Sequence, residues 1–204
     1  ETALALINAG LPNLRTVSPL NNDQRHRINA TLDYRYGSGK DYNGPVIADK
    51  QILANTGVNF IANLGSGTPY TASTIATPVT GGISPSTEGS INGSRLPWSF
   101  TLDRNIDKNF TLKMGEKEGE AAKTMNLNVF LWVTNILNTQ NITGVHRFTG
   151  SPDDDGYLAA AQYQADIAAK NSPEGFTNYY SMRVDDPYNY MQPRTIRLGL
   201  RLDF

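Results

Sequence analysis

The stretch that most constrains this chain is Thr195-Ile196-Arg197-Leu198-Gly199-Leu200-Arg201-Leu202-Asp203-Phe204. Extended, it puts Ile196, Leu198, Leu200, Leu202 and Phe204 on one face, and Arg197, Gly199, Arg201 and Asp203 on the other. Successive side chains of a strand point to opposite sides, so this period of two specifies an extended segment with one apolar and one polar surface.

The pattern recurs upstream. Ile28, Ala30, Leu32, Tyr34 and Tyr36 alternate with Asn29, Thr31, Asp33 and Arg35, and Gly37-Ser38-Gly39 ends the run. From Thr56 to Leu64, Val58, Phe60, Ala62 and Leu64 oppose Asn59, Ile61 and Asn63, with Ile61 the apolar exception on the polar side. A third strand starts near Pro97, with Trp98, Phe100, Leu102, Ile106, Phe110 and Leu112 against Ser99, Thr101, Asp103, Asn105 and Asp107. Arg104 and Lys108 fall on its apolar parity, which predicts a membrane edge or a change of register there. In the fourth, Met125, Leu127, Val129, Leu131 and Val133 oppose Asn126, Asn128, Phe130, Trp132 and Thr134. Alternation breaks at Ile136-Leu137, the mark of a bulge or strand end, and pairing is expected to resume through Val145, Arg147 and Thr149.

Between these runs lie connections. Residues 1–24 read as loop with one helical turn, 38–54 as a link containing Pro45, and Met114 to Lys123 as a charged turn. Residues 65–96, dense in Gly, Ser, Thr and Pro, read as a long mobile loop. In 150–193, Asp153-Asp154-Asp155-Gly156 is placed to cap an Ala-rich helix from Tyr157 to Lys170, ahead of an aromatic cluster at Phe176, Tyr179, Tyr180, Tyr188 and Tyr190.

No run of about 18 apolar residues is present, so a membrane-spanning helix is excluded. The negative mean hydropathy does not exclude a membrane barrel, because lumen and lipid residues alternate and cancel. The expected fold class is therefore all-β, an antiparallel transmembrane β-barrel. Lipid would meet Leu127, Val129, Leu131, Val133, Ile196 and Leu198; the lumen would meet Asp33, Arg35, Asn59, Asn63, Arg197 and Arg201. Five strands cannot close, and an open edge in lipid leaves backbone groups unpaired. The 204 residues are thus expected to be the C-terminal segment of one larger barrel domain. The opening Glu1-Thr2-Ala3 looks like a mature or internal boundary. With the closing strand running inward, 65–96 and 150–193 become extracellular loops, and 113–124 and 37–55 periplasmic connections.

A family resemblance follows from particular segments. Asn126-Leu127-Asn128-Val129 through Val133-Thr134-Asn135-Ile136-Leu137-Asn138 resembles the penultimate strand of TonB-dependent outer-membrane receptors. Gly65-Ser66-Gly67-Thr68-Pro69-Tyr70-Thr71 is similar to their strand-to-loop junctions, and Pro193-Arg194 through Phe204 to their closing strand. Asp23-Gln24-Arg25-His26 and Ser151-Pro152-Asp153-Asp154-Asp155-Gly156-Tyr157-Leu158 resemble members from Bacteroidota of the Oar-like group. The resemblance implies a barrel of about 22 strands with a plugged lumen, in the bacterial outer membrane. The plug is absent from this chain. It also implies a TonB complex as partner, and a barrel-assembly signal at Phe204, Leu202 and Leu200.

Other chemistries read weakly. A net charge of -1 lacks the basic stripe of a nucleic-acid binder, and with no cysteine there is neither disulfide nor thiolate site. Gly37-Ser38-Gly39-Lys40 lacks the earlier glycine and following Ser/Thr of a P-loop, with Tyr34 and Asp41 in those places. His26 and His146 lack metal-ligand spacing, and no nucleophile elbow appears. Neither cofactor, metal nor enzyme activity is therefore expected. The aspartate triplet reads as a solvated cap rather than a Ca²⁺ loop, and Asn-x-Ser/Thr at Asn29, Asn92, Asn109 and Asn141 as chance. Trp98 and the tyrosines suit an interfacial girdle.

The expected function is TonB-dependent uptake of a nutrient through a plugged barrel, with outer-membrane lipid and the rest of the barrel and plug as partners. Alternatives are a barrel subunit of a secretion, motility or surface complex, docking an envelope component or surface lipoprotein through 150–193, and a soluble β-sandwich binding module.

Overall fold

The computed structural model describes residues 17–79, 81, 86–114 and 123–204. The charged turn expected after Met114 and the opening helical turn lie outside the described residues. The chain divides into two compact units.

The sheet unit comprises His26–Ser66, Trp98–Asn141 and Tyr190–Phe204. Its strands are β1 (Arg27–Arg35), the two-residue arms β2 (Val46–Ile47) and β3 (Lys50–Gln51), then β4 (Thr56–Gly65). After β5 (Pro69–Tyr70) and β6 (Ser94–Arg95), which belong to the other unit, come β7 (Ser99–Met114), β8 (Lys123–Thr134) and β9 (Thr195–Asp203). The five long strands form one sheet in the order β1-β4-β7-β8-β9, each antiparallel to its neighbour. The fold is mostly antiparallel sheet with few helices, hence all-β. Both edges, β1 and β9, pair on one side only among the described residues.

Register keeps each face uniform. Val58, Ile106, Leu131 and Leu198 align across four strands, as do Val129 and Leu200 across two. This apolar face is open. Leu198 is 74 % exposed, Leu200 69 % and Ile196 62 %, and Ile28 and Leu32 are exposed as well. Val129, Leu131 and Leu127 are half-buried, and Val133 is buried. Val133 keeps the parity of the exposed leucines and lies in the ladder between Arg104 and Ile196.

Arg104 and Lys108 do not mark a register change, since β4–β7 pairing runs unbroken from Thr56↔Lys108 to Gly65↔Ser99. The Arg104 guanidinium lies 5.6 Å from the Phe60 ring centroid, and the Lys108 ammonium 5.4 Å from that of Phe110. Attraction to ring faces accommodates both cations on an apolar surface. Lys108 also donates to the Ile52 carbonyl.

The break after β8 is a strand end. Asn135 turns to a φ of 51°, and its side-chain oxygen accepts from Thr139 N at 3.0 Å. Pairing does not resume over 145–149, which contains no strand. Instead the Asn141 amide accepts from Phe100 N (2.8 Å) and donates to Phe100 O (2.7 Å), substituting for a strand residue beside β7.

The second unit comprises Glu1–Arg25, Gly67–Pro97 and Ile142–Asn189. The single helix expected over Tyr157–Lys170 is instead a 3-10 turn at Ala161–Tyr163 and a short helix α1 (Gln164–Ala168). The aromatic cluster lies on a further helix, α2 (Pro173–Val184), capped by Ser172 accepting from Gly175 N. Proline at the first position and a serine cap are good helix openers. Phe176, Tyr180 and Val184 recur every fourth residue along one face of α2. Tyr180 and Val184 form a core with Tyr157 and Ile167, with Phe176, Leu158 and Tyr163 packed against it.

Asp155 is not a solvated cap. It is 4 % exposed, accepting from Tyr157 N at 3.0 Å and from the Tyr180 hydroxyl at 2.5 Å. Val79 N in turn donates to the Tyr180 oxygen at 2.9 Å. Within residues 65–96, read as a long mobile loop, the described residues carry the β5–β6 ladder and a Ser73↔Thr87 bridge. Buried Asn92 donates to Pro19 O and Asn21 Oδ1, both at 2.7 Å, and Arg95 pairs with Asp23.

Candidate functional site

The polar face of the sheet gathers the chemistry-bearing side chains. Asp33, Arg35, Asn59, Asn63, Arg197 and Arg201 all project to this one face, opposite to Leu127, Val129, Leu131, Val133, Ile196 and Leu198. The structure does not gather the six into one cluster. Asp33 and Asn59 pair across β1–β4, with Asn59 Nδ2 3.3 Å from Asp33 Oδ1, and Asn63 donates to Thr101.

Arg35 forms the principal ion pair. Its two Nη atoms donate to the two Asp107 oxygens at 3.0 and 2.8 Å, a bidentate fork that adds direction to the charge attraction. Asp107 belongs to β7, with β4 intervening. The registers Arg35↔Gly57 and Gly57↔Asp107 put a glycine beneath the crossing guanidinium. A Cβ at Gly57 would stand 2.5 Å from Arg35 Nη2, so no other residue type fits without displacing the pair. Asn128 Nδ2 extends the network to Asp107 Oδ2 (3.3 Å) and Asn109 Oδ1 (2.6 Å).

Beside it two aromatic residues, Phe130 and Trp132, face the same side. Gly199 lies opposite Phe130, and a Cβ there would stand 2.2 Å from Phe130 Cζ. The ring therefore leans over the β9 backbone. On its other side lies a concavity of about 500 Å³ lined by Arg35, Asn105, Asp107, Asn128, Trp132 and Arg201 among others. Asn105 Oδ1 is buried without a hydrogen-bond donor. Arg197 and Arg201 have no ion pair among the described residues.

The remaining candidates fall elsewhere. Gly37-Ser38-Gly39-Lys40 runs from the end of β1 into a 3-10 turn at Gly39–Asp41, held by the Gln51 side chain on Gly39 N and O. His26 stacks on Trp98 in the sheet unit, while His146 belongs to the other unit, near Val184 O. Among the described residues no cluster of three His, Cys, Asp or Glu is present. Asn92 and Asn141 are buried and their amides are bonded. Phe204 and Leu202 are exposed, as is Leu200.

No family model, no curated protein and no solved structure matches this chain.

The sequence reading missed Asp107, Gly57 and Gly199 as parts of the site. The signal is visible only once register is fixed: a glycine directly between an Arg and an Asp on three successive strands.

Proposed function

We propose that this chain is part of the barrel of an outer-membrane transporter, with the TonB-dependent receptors as the nearest functional type. The apolar sheet face carries the reading, since Leu198, Leu200 and Ile196 lie uncovered while the opposite face is a bonded polar network. A soluble sandwich buries such a face against a second sheet; acyl chains satisfy it equally well. The one-sided pairing of β1 and β9 suits strands that continue into further barrel. On this reading the chain catalyses no reaction, and Arg35, Asp107 and Arg201 line the passage.

The chain has no cysteine, so single cysteines can be introduced cleanly. Fluorophores at positions 129, 198 and 200 should be quenched by spin-labelled lipid in vesicles, and those at 128, 197 and 201 by aqueous iodide. Equal iodide quenching of both sets would reject the membrane reading. For transport, uptake by cells carrying the protein should collapse when the proton gradient is discharged.

A second reading, docking within an envelope complex, is favoured by the outward side of α2. There Tyr179 and Met182 are exposed one turn apart, with Tyr188 exposed beyond the helix end. Exposed Tyr and Met are enriched in protein interfaces. Co-purification of a stoichiometric envelope protein, lost in a Tyr179→Ser, Met182→Ser variant, would support it.

A further inference from the structure

We propose that Asn43-Gly44 is a site of spontaneous modification, where the chain converts its own amide into an acid with water as the co-reactant. The chemistry belongs to asparagine followed by glycine. The Gly44 backbone nitrogen, freed of its proton, attacks Asn43 Cγ. The side-chain nitrogen leaves as ammonia, and a five-membered succinimide ring closes. Water then opens the ring at either carbonyl. The product is aspartate, or isoaspartate with the main chain rerouted through the side chain. Glycine offers no Cβ to hinder the attack and reaches backbone conformations closed to other residues.

The sequence contains this dipeptide twice, at Asn43-Gly44 and Asn92-Gly93, and the fold treats the two oppositely. Asn92 is 9 % exposed. Its amide nitrogen donates to Pro19 O and Asn21 Oδ1, and its oxygen accepts from Thr71 Oγ1 at 3.3 Å. The attacking nitrogen is engaged too, because Gly93 N donates to Ser90 O at 3.1 Å. Ring closure there has to break these bonds first. Asn43 is exposed, on the connection between β1 and β4. Its amide makes a single bond, from Nδ2 to the exposed Tyr34 hydroxyl at 2.8 Å. Gly44 N has no hydrogen-bond partner among the described residues.

The glycine that makes Asn43 reactive is itself required. A Cβ at Gly44 would stand 2.6 Å from Tyr42 Oη. That hydroxyl donates to Pro45 O at 2.7 Å and accepts from Leu53 N at 3.2 Å, tying the start of the connection to its end. A larger residue at 44 would protect the amide only by displacing this tie. Isoaspartate inserts one methylene ahead of Gly44 and shifts it beneath Tyr42, so modification loosens the same tie.

The test uses the 204-residue chain in detergent, aged in mildly alkaline buffer and digested at mildly acidic pH for tryptic mass spectrometry. Asn43 is read in the peptide Asp41–Lys50 and Asn92 in Gln51–Arg95, each assigned by fragmentation. In the folded chain Asn43 should convert at least about tenfold faster than Asn92, which reacts only after local opening. In urea the difference should vanish, since only the dipeptide remains. An isoaspartyl methyltransferase should label Asp41–Lys50 from the aged parent but not from Asn43→Gln, whose longer side chain cannot close the five-membered ring. An Asn43 that stays an amide in the folded chain while converting in urea would overturn the proposal. So would equal rates at the two sites in the folded chain, or labelling of that peptide that survives Asn43→Gln.

Discussion

Two side chains carry more of this structure than their neighbours do. Tyr180 is almost fully buried and joins Val79 to Asp155 through one oxygen. Tyr180→Phe keeps the ring but strands a buried carboxylate oxygen and an amide, which should cost about 2–3 kcal/mol in urea unfolding. Burial, reinforced by the bond to Asp155, raises the Tyr180 pKa well above the ordinary tyrosine value. The group must be protonated to donate, so its contribution is complete below the unfolded-state pKa of about 10. It is lost as pH rises from there through the higher folded value. Unfolding midpoints should therefore fall above about pH 10 in the parent and fall less in Tyr180→Phe. Gly199 is the second. Gly199→Ala forces the Phe130 ring off the β9 backbone toward Asp107, at about 1–3 kcal/mol of overpacking, and fills the concavity. Adding Phe130→Ala should restore stability, as a double-mutant cycle would reveal. At this scale the sequence was partly legible. Parity assigns Arg35 and Arg201 to the polar face, but parity has no term for which cross-strand neighbour a side chain reaches. Asp155 was misjudged because an aspartate run looks solvated until a tyrosine 25 residues away is folded onto it.

The strands were the most legible elements, because one-sided burial and a fixed period of two constrain every position at once. Expected and observed limits of β4 and β8 differ by a residue or two, the usual fraying of assigned ends. Helix α2 was missed for a definite reason. Its apolar face is built from Phe176, Tyr180 and Val184, and the two rings read as part of an aromatic cluster, although Ser172-Pro173-Glu174 carried a helix-start signal. The face assignment predicts asymmetric tolerance along β9. Leu198→Arg should lower refolding into vesicles by up to about 2–4 kcal/mol at the bilayer midplane. Arg197→Leu, one residue earlier, should leave insertion intact. Comparable losses from both would mean that the strand has no lipid side.

For the molecule as a whole, an open sheet whose two edges are unpaired among the described residues is prone to associate edge to edge. The 204-residue chain in detergent should therefore sediment as a concentration-dependent mixture. A strictly monomeric species at all concentrations would indicate that β1 and β9 need no neighbour. The bond from Val79 to Tyr180 joins residues 101 apart in sequence, and it has a consequence for biosynthesis. A polypeptide made from its amino end presents the amide of Val79 long before its acceptor has been translated. Every stretch between them must already have been synthesised when that aromatic cluster closes, so the bond that fastens Val79 cannot form on any nascent chain that stops short of Tyr180.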